Sequence, residues 1–311
     1  MSAVVRVSPR PSSVPHLVLV ALMLVAAIVV QVVRDRGWQP YEPPNPLLWV
    51  RSAPLMHRLS LGYDNLVADA YWMRAVVYFG GKQRLEPAGP QKNYEALFPL
   101  LDMVTTLDPH FKVAYRFGAI FLAEAFPQGP GRPDLAVELL KRGIDRDEGR
   151  WEYYHDVGFI YYWWLRDYQQ AAEWFLKGAD RPGAAEWLRP LAATTLATGG
   201  QRSTSRQLWT ELLQSDMPFI QRQAELRLQQ LDAMDQIAEL TLVLQRFIDR
   251  EHRVPQSWQE LAAAEHLPRV PADPTGVPFV FDPRVGYIDV SRRSTLWPLP
   301  SGGQPPTPVR P

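Results

Sequence analysis

The chain has 311 residues, 46% of them hydrophobic, which is enough apolar material for a large core or a row of smaller ones and excludes disorder throughout. Lys+Arg and Asp+Glu are both 33, so no global charge draws the chain to nucleic acid or to an acidic substrate. With no cysteine, disulfides, thiolate chemistry, Cys-ligated zinc, iron–sulfur clusters and a lipidated cysteine anchor are all excluded.

Residues 1–16 form a short tail carrying Arg6 and Arg10. From Leu17 to Val33 the chain is apolar apart from Gln31. At about 1.5 Å rise per residue, a helix of that length just crosses a hydrocarbon core. The run is expected to be an uncleaved transmembrane signal-anchor. A cleaved signal peptide is the alternative, although such apolar cores are usually shorter and end in a small-x-small site, where Ile28-Val29-Val30 stands here. Arg34 and Arg36 balance Arg6 and Arg10, so the positive-inside count is nearly tied. The free amino terminus favours an N-in orientation in a bacterial inner membrane, with the body in the periplasm. The excess of Arg over Lys points the same way, to a GC-rich bacterial source.

Residues 34–60 read as a Pro-rich spacer. Beyond it, apolar positions recur at three- and four-residue steps, with breaks at Gly80-Gly81, Asp108-Pro109, Pro127 to Pro133, Gly149, Pro182-Gly183 and Gly199-Gly200. Residues 61–215 are therefore expected to be antiparallel helix pairs. Gly80-Gly81-Lys82 lacks the remaining residues of a phosphate-binding loop and reads as a turn.

The pairs are self-similar. Tyr154, Val157, Gly158 and Tyr161 are followed by Ala171, Phe175, Gly178 and Pro182; Ala114, Phe117, Gly118 and Phe121 by Ala136, Leu140 and Gly143. An earlier copy has Tyr71, Arg74, Ala75 and Tyr78, then Ala96, Leu100, Met103 and Pro109. A fourth has Leu188, Leu191, Ala192 and Thr195, then Ser205, Trp209 and Leu212. A small residue such as Gly158 permits a close helix crossing, and a large one fills the gap between pairs. The pattern resembles the tetratricopeptide repeat family over residues 61–215. It departs from that family at Arg74, where a large apolar residue is usual, and in the long Phe121–Ala136 connection. The resemblance implies an all-α, right-handed solenoid with Ala75, Gly118, Gly158, Tyr161, Ala171, Phe175 and Ala192 as packing positions. An irregular helical bundle is the alternative.

Residues 216–250 carry one apolar stripe, from Ile220 to Phe247, and are expected to form a long helix capping the repeats. Residues 251–292 read as a small module: a short helix at Val254–Leu261, a turn at Pro271–Pro274, and a hairpin pairing Phe279–Phe281 with Tyr287–Val290. Asp273 to Phe279 resembles the C-terminal segment of type II secretion pseudopilins over a short stretch. Residues 293–311 read as a tail.

No catalytic constellation stands out. The six histidines are scattered without an i,i+4 partner, so no metal and no cofactor is expected. Between Trp151 and Trp187 aromatic residues are too dense for all of them to face one seam. Those that do not pack are expected in a groove as protein-binding anchors, with sugar stacking as a competing use. In the tetratricopeptide family the first helix of each pair lines the concave wall beside its packing positions. Transferred by that offset, the wall comprises Asp69 and Trp72, then Lys112, Tyr115 and Leu122, then Glu152, His155, Phe159, Tyr162 and Trp163, and finally Glu186 and Arg189. The expected function is a membrane-anchored scaffold or adaptor for a protein or peptide partner, with no nucleic acid bound. A secretion or pilus accessory component and an enzyme with a site in the groove are the alternatives.

Overall fold

The computed structural model describes residues 14–37, 50, 52–85, 89 and 92–300. Most of the expected tail 1–16, much of the spacer 34–60 and residues 301–311 lie outside the described residues. The chain divides into two compact units, 1–46 and 47–311. In the first, α1 runs Val14–Gly37 and contains the apolar run. The side chains of residues 17–21 lie outside the described residues, and those of Leu22 to Val33 are exposed. Among the described residues no helix is long and apolar enough to cross a membrane.

The second unit is almost wholly helical. Its helices are α2 (Ala53–Leu59), α3 (Asp64–Leu85), α4 (Leu97–Leu107), α5 (Lys112–Ala123), α6 (Pro133–Arg146) and α7 (Trp151–Ile160), which continues as a π-helical turn at Tyr161–Leu165. They are followed by α8 (Tyr168–Ala179), α9 (Leu188–Thr198), α10 (Arg202–Leu212), α11 (Pro218–Glu251) and α12 (Trp258–Ala264). Each helix from α3 to α11 packs mainly on its neighbours in the chain, and α5 also packs directly on α7.

Two expectations about the first pair need correction. The end of the spacer is helical: Ser52 caps α2 by accepting from Leu55 N–H, Pro54 suits the first turn, and Ala53 and Met56 turn one face into the core. Gly80 and Gly81 lie inside α3 and are no turn. The preceding aromatics hold the helix through them, since Phe79 stacks on Phe121 at 4.4 Å and meets Tyr94 at 5.9 Å. That packing outweighs the roughly 1 kcal/mol that glycine costs a helix interior.

The crossings are tight where small residues stand. A methyl on Gly118 would lie 2.8 Å from Leu101 Cδ2, and one on Gly158 would lie 2.5 Å from Phe175 Cε1 and 2.9 Å from the Ala171 carbonyl oxygen. Ala75, Ala171, Ala192 and Phe175 are buried, while half-buried Tyr161 packs against two cores. The first core spans α2 to α7, the second α8 to the first half of α11. The third joins the second half of α11 to the C-terminal module through Phe247, Trp258, Phe279 and Ile288.

In that module β1 (Val280–Asp282) and β2 (Tyr287–Asp289) pair antiparallel with Phe281 opposite Ile288. Ser257 caps α12, and Trp258 Nε1 donates to the Phe279 carbonyl at 2.8 Å. The expected tail starts too early. Leu296 is fully buried, and Gln230 Nε2 donates to the carbonyls of Leu296 at 2.7 Å and Pro298 at 3.0 Å. One apolar side chain and one buried amide suffice to fix a segment whose composition is otherwise that of a tail.

Candidate interaction surface

Helix α7 has an aromatic face on each side. Tyr153, Tyr154, Val157, Gly158 and Ile160 are buried, which leaves Glu152, His155 and Phe159 along the opposite side. The chain then widens into the π-helical turn Tyr161–Leu165, closed by Arg166 in the left-handed region at φ 55°. Such turns break the α-helical register and recur at functional sites. Here the turn sorts four consecutive aromatics. Tyr161, Tyr162 and Trp164 pack against the cores, and Trp163 points outward.

The result is a ladder of rings. Trp187, from the start of α9, meets His155 edge-on at 5.3 Å; His155 stacks on Phe159 at 6.3 Å, and Phe159 on Trp163 at 6.3 Å. The Arg166 guanidinium lies 5.7 Å from the Trp163 ring centre. Phe159, Trp163 and Trp187 remain 37%, 53% and 48% exposed. Single exposed apolar residues need no explanation, whereas large rings stacked in a row and open to solvent are the usual material of a binding surface.

An ion pair fixes the ladder's base. Arg116 of α5 reaches Asp156 with Nε at 2.5 Å and Nη2 at 3.0 Å, and His155 donates through Nδ1 to the same carboxylate at 2.9 Å. The hydrogen-bonded Asp156 carboxylate raises the Arg116 guanidinium above its ordinary value, against the opposing effect of burial. One buried carboxylate thus orients the histidine ring and ties α5 to α7.

The structure separates the expected wall residues. His155, Phe159 and Trp163 come together in the ladder, with half-buried Glu152 one turn before His155. Tyr162 is half-buried against the second core and edge-on to Tyr168 at 5.3 Å, so it supports the surface from behind. Trp72 packs on Phe121 at 6.0 Å and Phe111 at 5.9 Å. Asp69, Lys112, Glu186 and Arg189 are exposed, and Arg189 pairs with Asp180 at 2.6 Å.

Tyr115 and Leu122 are corrected: both are 1% exposed. The offset fails because this side of α5 is covered, at Tyr115 by α4, α6 and α7 and at Leu122 by the segments before α4 and after α5. Tyr115 therefore fills the seam against Gly143 and Tyr153, and Leu122 lines a cleft of about 490 Å³ with Tyr94, Phe98 and Phe126. The same rotation leaves Phe117, expected to pack, 52% exposed. Sequence reasoning also left Trp187 unassigned; its place at the start of α9, facing α7, needed the fold.

No group of three or more His, Cys, Asp or Glu side chains that could hold a metal occurs among the described residues. The arrangement is suited to burying apolar side chains of another molecule between rings, with charges at its edge. Comparison of the chain with known protein families, characterised proteins and solved structures finds no match.

Proposed function

We propose that the chain is a membrane-anchored, tetratricopeptide-like scaffold that binds a protein or peptide through the ring ladder of α7. The anchor is the apolar run 17–33 within α1, the helix pairs form a right-handed solenoid, and the body faces the periplasm of a bacterium. The observation that carries the binding role is the exposed row of Phe159, Trp163 and Trp187, held in register by the π-helical turn and the Arg116–Asp156 pair. Apolar anchors of a partner would enter between the rings, and the edge charges would add specificity and association rate more than affinity. On this reading the protein works without a cofactor and catalyses no reaction.

The test is affinity capture from detergent-solubilised membranes with the wild-type chain and the double variant Phe159→Ala, Trp163→Ala. A recurrent partner that the variant loses is the expected result. Recovery of the same proteins in equal amounts with both would overturn the proposed surface.

A further inference from the structure

Helices α3, α5, α7 and α9 form one layer of the body and α4, α6, α8 and α10 the other, since each packs mainly on its neighbours in the chain. On these eight helices every exposed large apolar side chain belongs to the first layer: Leu66, Met73 and Val77 on α3, Val113 and Phe117 on α5, and Phe159 on α7. The exposed side chains of the second layer are all polar, Glu138, Lys141, Gln169 and Gln207 among them.

Contacts within the first layer set these rows level. Trp72, which precedes Met73, meets Phe111 and Phe121, on either side of Phe117 in sequence. Arg116, which precedes Phe117, bonds Asp156 of α7, and the adjacent His155 meets both Phe159 and Trp187. Met73, Phe117, Phe159 and Trp187 therefore form one apolar band that crosses α3, α5 and α7 to the start of α9. Contiguous exposed apolar surface of this kind marks an interaction site.

The size and charge of the band describe its occupant. Neighbouring helices pack roughly 8–10 Å apart, so four abreast make a band about 25–30 Å long. An α-helix of about 20 residues has that length and a width near 10 Å. Its apolar stripe returns about every seven residues, or about 10 Å, in step with the helices it would cross. The border of the band is acidic: Asp69, Glu152 and Glu186 enter no ion pair among the described residues and outnumber the unpaired cations Lys112 and Arg166. We propose, resting on the ring ladder as the binding surface, that the partner's binding segment is one amphipathic α-helix with a basic border, lying across α3, α5 and α7 to Trp187.

In cells producing the full chain, a benzophenone amino acid is placed in turn at Met73, Phe117, Phe159 and Trp187, with Glu138 and Gln207 of the second layer as controls. Cross-linked peptides are then sequenced by mass spectrometry. Adducts with one partner segment at all four positions and none at the controls are expected, the labelled residue advancing by about seven from each position to the next. Asp69→Lys with Glu152→Lys should lower the adduct at Phe117 several-fold; an unchanged yield overturns the basic border. Steps of about three mean an extended segment and overturn the helix. Adducts at Phe159 and Trp187 alone leave the ring ladder standing and overturn the band. No adduct with protein at any of the four, as expected if lipid covers this face, overturns band and ladder together. Equal adducts at Glu138 and Gln207 mean collision and overturn the band as well.

Discussion

At Gly158 the distance to Phe175 leaves no room for even a methyl group, so Gly158→Ala is expected to lower stability by about 1–3 kcal/mol, and Gly158→Leu by more. Gly80 gives the opposite case. It lies within α3 with no atom within 4 Å of where a Cβ would stand, so Gly80→Ala should raise stability by roughly 0.5–1 kcal/mol through helix entropy alone. Thermal or denaturant unfolding of the two variants separates these effects; if both shift the same way, packing is not what distinguishes the sites. Asp273 adds a pH dependence. Its Oδ1 accepts from Thr275 N at 2.8 Å, Val277 N at 3.1 Å and Thr275 Oγ1 at 2.6 Å, closing the turn before β1. Burial pushes this carboxyl up, but hydrogen bonds from Ser294, Thr275 and two backbone N–H groups hold it below its ordinary value near 3.8. A group lowered on folding contributes fully above its unfolded value, and the contribution is lost as the pH falls through the folded one. Asp273→Asn should therefore destabilise the C-terminal module at neutral pH and flatten the loss of stability below about pH 3.8. An acid limb as steep as that of the wild type would contradict this.

At the scale of elements, the π-helical turn decides which rings are available. Phe159→Ala with Trp163→Ala should cost about 2 kcal/mol of partner binding if either ring is a hot spot, with little change in melting temperature. Tyr162→Ala should do the reverse, because Tyr162 packs on the second core. The helix-pair pattern, the long α11 and the presence of a hairpin around Phe281 and Ile288 were legible from periodicity, which records burial directly, while the hairpin's register was not. The orientation of α5 was not legible. Tyr115 and Phe117 are both aromatic, and the cover supplied together by α4, α6 and α7 decides that the first is inside and the second outside. Nor does periodicity announce a π-helical turn, which adds a residue without altering composition. The C-terminal strap was missed for a third reason: Gln230 reaches across 66 residues to hold Leu296, a pairing with no local signal. Gln230→Ala should release that strap, read as faster tryptic cleavage at Arg292 and Arg293 while α3 to α10 stay protected.

For the whole molecule, the proposed anchor predicts that the chain stays with the membrane pellet after high-salt and alkaline washing; a soluble mature form beginning beyond Val33 would refute it. A reporter active only in the periplasm, fused after Pro300, should be active on the proposed topology, and an inactive fusion of normal abundance would reverse the orientation. Within the second unit the cores follow one another along the chain, yet α11 belongs to two of them. Ile220, Ala224 and Leu231 enter the second core, and Leu244, Phe247 and Ile248 enter the third. The boundary between the helical body and the C-terminal module thus falls midway along a single helix and crosses no loop. A chain ending at residue 215 would leave α9 and α10 with an open apolar flank and should aggregate, whereas one ending at 300 should not. Recombination or gene fusion that exchanges the residues after 250 would leave Leu244, Phe247 and Ile248 of the module's core behind on α11. The module is inherited with its core whole only when the distal half of α11 travels with it.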